Sequence, residues 1–248
     1  MIVVKRAFEL EAMRASCHLA AVVRDKVKAS VSPGVTTGEL ADYAGDLISG
    51  EGASCAFLGY HGFPGKICIS VNDEVVHGIP GSRVLAIGDV VSLDFGVLLD
   101  GFYGDTATTV LVGVTDPELI RMVRVTEKSL YDGLAQAQEG GRLSDISHAI
   151  QKTVEGAGFS VVRDFVGHGI GRALHEDPQI PNYGRAGRGP ILRRGMTLAI
   201  EPMVNKGRAS TRVLADGWTV VARDGKPSAH FEHTIAIGGD GVEILTKG

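Results

Sequence analysis

The stretch VVSLDFGVLLDGFYGDTATT, Val90 to Thr109, decides how the rest of the chain is organised. Its first half alternates as a strand does, with Val91, Leu93, Phe95, Val97 and Leu99 on one face and Ser92, Asp94 and Gly96 on the other. Asp100-Gly101 suits the centre of a tight type I′ turn, and closing the hairpin there sets Asp94 opposite Ala107, with Asp105 two residues away on the same face. Two buried anions side by side repel, and each loses on the order of several kcal/mol of solvation, so a cation must compensate. Either aspartate alone suits a turn cap or an Arg or Lys partner. The pair on one face favours a bound metal.

The chain has 248 residues, 44% of them hydrophobic and 22% charged, which allows one large domain or two small ones around a sizeable core. A net charge of −4 leaves no basic footprint for nucleic acid. The opening MIVVKRAFELEAMR lacks the apolar run of a signal peptide, and no stretch reaches the roughly 18 apolar residues of a membrane span. A cytoplasmic protein is expected, with no membrane partner. Cys17, Cys55 and Cys68 are odd in number and show no CxxC spacing, so reduced thiols are expected rather than a disulfide framework or a thiolate zinc site.

Helical periodicity predicts a first long helix over Lys5 to Ala29, stopped by Ser32-Pro33-Gly34. Thr36 and Glu39 form a capping box for a second, ending near Gly50. A turn-rich segment with a strand at Lys66 to Val71 carries His61 and His77. After the hairpin, Asp116-Pro117 opens a helix to about Gln138, and Ser144 is placed to cap another through Val154, followed by a strand at Phe159 to Val162. Long helix, short helix and strand thus occur twice. His61 and His168 stand 107 residues apart, as do Asp94 in SLDFG and Glu201 in LAIEP. The pattern implies one domain, 1–248, of two pseudo-symmetric α/β halves, about 5–113 and 116–240.

Further strands are expected at Met196 to Ile200, running into Glu201-Pro202, at Trp218 to Arg223, and at His230 to Ile237 with Glu232 in its interior. Asp94, Asp105, Glu201 and Glu232 are then four acids on apolar strands. With an imidazole they form the donor set that a pair of divalent cations requires, hard oxygens suiting manganese, iron, cobalt or zinc. His168, flanked by Gly167 and Gly169, is the best-placed imidazole. Two such ions share a water and lower its pKa, the machinery of hydrolysis. Phosphoester and peptide cleavage both fit this argument.

VNDEVVHGIP, SLDFGVLLDGFYGDTATT, GHGIGRALHEDPQIPNYG, LAIEPM and HFEHTIAI together resemble the motifs of the type I methionine aminopeptidases, in order and over nearly the whole chain. The resemblance implies a pita-bread fold, a central antiparallel sheet with helices outside. It also implies removal of the N-terminal methionine from nascent chains, at or near the ribosome, when the second residue is small. By it Asp94 chelates one of two metal ions, His168 and Glu201 hold the other, and Asp105 and Glu232 bridge them. Glu201 also shuttles a proton, His77 contacts substrate near the scissile bond, and His175 stabilises the oxyanion.

Tyr60, Phe63, Cys68 and Trp218 fall where the family lines its methionine pocket, and an aromatic wall with a soft sulfur suits a thioether. Leu174 replaces an aromatic frequent in the family, and His230 stands where a neutral polar residue is expected. His77 could instead brace the Gly78–Pro80 loop, and His175 could pair with Glu176. The resemblance further implies a monomeric, minimal catalytic domain without a zinc-finger extension. A proline-specific peptidase of the same fold, or a non-catalytic module that has lost ligands, is the alternative; the former usually carries an additional N-terminal domain, and here all five ligand positions are filled.

Overall fold

Asp100 and Gly101 have φ of 50° and 78°, so the central hairpin closes through two left-handed residues. In the computed structural model, which describes residues 1–239 and 241–248, Asp94 faces Ala107 and Gly96 faces Asp105, the register that the turn dictates. The elements run α1 (Ala7–Ser30), α2 (Thr37–Gly50), β1 (Ser54–Cys55), a 3₁₀ turn (Tyr60–Gly62), β2 (Cys68–Val71), β3 (Glu74–Val76), β4 (Val90–Leu99) and β5 (Phe102–Leu111). There follow α3 (Pro117–Leu134), α4 (Leu143–Gly156), β6 (Ser160–Val161), β7 (Gly167–Gly169), β8 (Glu176–Ile180), β9 (Thr197–Ile200), β10 (Met203–Asn205) and β11 (Thr211–Val213). The chain ends with β12 (Val220–Ala222), β13 (Ser228–His230), β14 (Glu232–Ile237) and β15 (Val242–Ile244).

The main sheet is antiparallel, with strand order β1-β4-β5-β14-β9-β7-β8, β2 also pairing with β4 and β15 with β14. Its apolar face is covered by the helices. Leu93, Phe95 and Val97 of β4 are buried against Val23 and Val27 of α1 and Leu40 and Ile48 of α2. In the second half Leu198, Ile200 and Ile235 pack with Met122, Leu130, Ile146 and Ile150 of α3 and α4. α2 and α4 are both 14 residues long and each leads into a two-residue strand, β1 and β6.

Several boundaries differ from the sequence-based expectation, each for a local reason. α4 begins at Leu143, and Ser144 does not cap it; its hydroxyl exchanges hydrogen bonds with the backbone of Arg188 instead. The strand expected from His230 to Ile237 is broken at Phe231. Residues 228–230 pair with β10 in a second sheet, while Glu232 onward joins the main one. The break lies beside Glu201-Pro202, where proline withholds an N–H from the ladder and β9 gives way to β10. Glu232 therefore opens its strand rather than sitting inside it.

α1 crosses the hairpin at Gly104, where a Cβ would lie 2.7 Å from the Cα of Cys17 and 2.8 Å from its nitrogen. Neither backbone can move without shifting an entire element. Gly104→Ala should therefore cost about 1–3 kcal/mol, whereas Gly50→Ala, with nothing within 4 Å of the added carbon, should be neutral or gain about 0.5 kcal/mol. Urea denaturation of the two variants checks the contrast; equal midpoints would contradict it.

Candidate metal centre

Five neighbouring strands of the main sheet each deliver one candidate ligand to the face opposite α1 and α2. In spatial order these are Asp94 on β4, Asp105 on β5, Glu232 at the start of β14, Glu201 one residue past β9 and His168 on β7. Register aligns them. Ala107 pairs with both Asp94 and Glu232, His233 pairs with Ile200, and His168 pairs with Ala199, so the five side chains converge in one row across the sheet. Gly167 and Gly169 permit this, since a Cβ on either would fall 2.4 Å from the Ala199 oxygen or 2.1 Å from the Asp177 oxygen.

Asp105, His168 and Glu232 offer three donor atoms within 4.8 Å of one another. Glu201 Oε1 lies 3.5 Å from His168 Nε2, and Asp105 Oδ2 lies 3.8 Å from it. His168 Nδ1 is 2.9 Å from the Gly169 carbonyl, an acceptor only, so Nδ1 carries the proton and Nε2 presents a lone pair to the acids. Among the described residues, Asp94 Oδ1, Asp105 Oδ1 and Glu232 Oε1 are buried without a hydrogen-bond partner. Burial raises Asp94 to about 7. Burial and then the neighbouring acids hold Asp105, Glu201 and Glu232 well above the usual carboxylate range. Burial lowers His168 to about 3. Orphaned hard oxygens around an unprotonated imidazole are the donor set a divalent cation fits.

The row floors a recess of about 140 Å³, enough for one side chain, whose walls include Phe57, Tyr60, Phe63, Cys68, Leu174 and Trp218. Phe63 and Trp218 meet edge to face at 5.2 Å. All four residues expected in a methionine pocket thus line one cavity with the acids. Three histidines reach it as well: His61, His77 and His175. His77 has φ 59° and His61 φ 49°, left-handed values uncommon for side-chain-bearing residues. His77 is fixed from behind by Gly78, whose nitrogen donates to Ser70 Oγ and whose missing Cβ admits the Ile69 carbonyl. Its ring packs edge-on against Phe165. His175 is not paired with Glu176, which binds Lys5 instead; its Nδ1 lies 2.7 Å from the Tyr60 hydroxyl. His230 is buried beside the row, its Nε2 without a hydrogen-bond partner among the described residues and 3.8 Å from Glu201 Oε2. Phe57 escaped the sequence reading, although Gly96 on the acid-bearing face of β4 marks the place where its ring packs.

A sequence profile of metallopeptidase family M24 matches residues 11–238. The chain belongs to that family. It is 53% identical over 247 residues to methionine aminopeptidase 1 of Bacillus subtilis (strain 168), covering all of both chains, and 46% identical to methionine aminopeptidase of Escherichia coli (strain K12), covering 99% of this chain and 94% of that one. The solved methionine aminopeptidase of Thermotoga maritima superimposes with a TM-score of 0.98 at 48% identity over the whole of both chains. Prolidase from Pyrococcus furiosus, at 20% identity and a TM-score of 0.80 over 99% of this chain and 66% of that one, shares the fold. The architecture of this M24 member is the pita-bread fold that its motifs imply.

Metal removal should leave a pH signature. A carboxyl whose pKa is raised on folding keeps its proton after the unfolded chain has lost it, so stability falls as pH rises through the folded pKa. Histidines with lowered pKa, His77 and His168 among them, act in the opposite sense, but only below about 6.5, where unfolded imidazoles take up protons. Between about pH 6.5 and 8 the carboxyls dominate. The metal-stripped protein should therefore lose thermal stability over that interval, and saturating divalent cation should raise the midpoint and flatten the slope. A stripped protein that gains stability from pH 6.5 to 8 would contradict the placement of the acids.

Proposed function

We propose that this M24 metallopeptidase removes the N-terminal methionine from polypeptides whose second residue is small. The observation that carries the reading is the row of five donors flooring a recess walled by aromatic rings and the Cys68 thiol, in a chain about half identical to methionine aminopeptidases over its full length. Asp94, Asp105, His168, Glu201 and Glu232 would hold two divalent ions, drawn from cobalt, manganese, iron or zinc. Bound there, such ions supply Lewis acidity and a lowered pKa for the attacking water. Nascent chains emerging at or near the ribosome are the proposed substrates, with the protein acting as a cytoplasmic monomer.

The residues divide the work by position. Tyr60, Phe63, Cys68 and Trp218 bury the thioether, which fixes the first residue and so the scissile carbonyl. His77, held by the Gly78 contact, orients the substrate beside that bond. His175 directs a donor at the carbonyl oxygen as charge develops, an interaction that strengthens only in the transition state. Glu201, at the end of its strand, takes a proton from the water and returns it to the departing amine. A large second side chain would displace the carbonyl, and a misplacement near 1 Å costs about a hundredfold in rate.

Peptides beginning Met-Gly, Met-Ala and Met-Ser should be cleaved and Met-Leu and Met-Lys should be nearly inert, as read by mass spectrometry. Equal rates for Met-Ala and Met-Leu would sink the narrow recess. Cleavage confined to Ala-Pro peptides would assign the site to proline-specific hydrolysis.

Asp105→Asn and Glu232→Gln should each abolish turnover and lower bound metal while the fold is retained, because an amide leaves the cation charge unbalanced. Full activity with unchanged metal content in either variant removes that residue from the centre. His175→Ala should lower kcat far more than it raises KM, and His61→Ala should be milder; the reverse order would refute the assigned role of His175.

A further inference from the structure

We infer that Tyr60 is a positioning residue for His175: its hydroxyl donates to Nδ1 and so holds the imidazole in the Nε2–H tautomer, the form that offers the recess a hydrogen-bond donor. The inference deepens the functional reading above and rests on it for its kinetic consequence. The contact is direct, 2.7 Å from the phenol oxygen to Nδ1, and joins residues 115 apart in the chain. The rings lie 5.2 Å apart, tilted by 36°.

The direction of the hydrogen bond follows from satisfying both groups. Across the 2.7 Å contact between the phenol oxygen and Nδ1 one group must donate and the other accept. A neutral imidazole carries one proton on one of two nitrogens. With that proton on Nδ1, it would point at the phenol oxygen, the phenol proton would lose its imidazole acceptor, and Nε2 would become a lone pair. A lone pair there would repel the negative charge that develops on a carbonyl under attack. With the proton on Nε2, the phenol donates to the stronger acceptor and Nε2 is left as a donor. The neighbouring ring makes the contrast plain. His168 lies 4.3 Å from His175, centroid to centroid, and its Nδ1 faces a carbonyl, which can only accept. One imidazole is thereby set to present a lone pair and its neighbour a proton, each by the partner at its other nitrogen.

The backbone is built to bring the hydroxyl there. Gly59 at φ 80° opens the 3₁₀ turn, His61 continues it at φ 49°, and the His61 ring meets the Tyr60 ring edge-on at 4.4 Å. On the other side, Glu176 accepts from the Arg172 nitrogen at 2.9 Å and binds Lys5, which fixes the turn that carries His175. A residue needed only to wall an apolar recess requires no hydroxyl. Phe63 and Phe57 supply that wall without one.

Tyr60→Phe isolates the hydroxyl while keeping the ring. In the zinc-loaded protein, ¹⁵N imidazole spectra, with His175 assigned by its loss in His175→Asn, should show the Nε2–H tautomer in the wild type and a mixture in Tyr60→Phe. Turnover of Met-Ala-Ser should fall about tenfold in kcat, about 1.4 kcal/mol of barrier, with KM within a factor of about two. In a His175→Ala background the same substitution should change kcat little, since the pair acts as a unit. The inference is overturned if wild-type His175 carries its proton on Nδ1, if Tyr60→Phe raises only KM or changes nothing, or if its cost persists without His175. Should the wild type fail to cleave methionyl peptides at all, the functional reading falls, and the spectra still decide the tautomer.

Discussion

Four carboxyl groups packed around one lone pair would drive the sheet apart if they stood alone, and much of the structure answers that constraint. Asp105 and Glu232 are almost fully buried and Asp94 and Glu201 partly so, with three oxygens lacking any hydrogen-bond partner among the described residues. A cation converts this mutual repulsion into attraction. The sheet must remain folded around a centre that is unfavourable without its ion, which calls for apolar burial elsewhere. The opposite face supplies it: α1 and α2 on the first half, α3 and α4 on the second.

Assigning one ligand to each of five adjacent strands makes the centre a property of register rather than of loops. A slip of one residue in any pairing would turn that ligand to the helix side. The type I′ turn at Asp100-Gly101 locks the first pair, and the glycines around His168 let β7 and β9 approach closely. The residues proposed to handle substrate sit differently. Tyr60, His61 and His77 lie on turns with left-handed backbone, and their side chains are aimed by local conformation instead of by the pleat.

This division explains what could be read from the chain alone. The hairpin register, the five donors and the helix pairs follow from short-range rules: a turn dipeptide, a period of two, a capping box at Thr36 and Glu39. The break at Phe231 was not legible, because nothing in HFEHTIAI announces that neighbouring residues pair with different sheets. Ser144 has the composition of a cap, but a loop 44 residues away claims its hydroxyl. The hydrogen bond between Tyr60 and His175 joins residues 115 apart in the chain. It therefore leaves no trace in either segment, and the aromatic ring alone suggested only a pocket wall.

The same row of donors separates the roles of the acids. In the order Asp94, Asp105, Glu232, Glu201, His168, Asp105 and Glu232 are neighbours in the interior, buried to 4% and 2% residual exposure. Central placement on adjacent strands suits the pair of carboxylates proposed to be shared between two ions. Glu201 differs. It lies past the end of β9, held extended by Pro202, with 15% of its side chain exposed and an imidazole near each oxygen, His168 at 3.5 Å and His230 at 3.8 Å. A carboxyl group past a strand terminus, partly open to solvent and with an imidazole near each oxygen, suits the proton shuttle proposed for Glu201. The proposed proton transfer thus falls to the acid that lies past the end of its strand, and the proposed charge sharing to the two that are most buried.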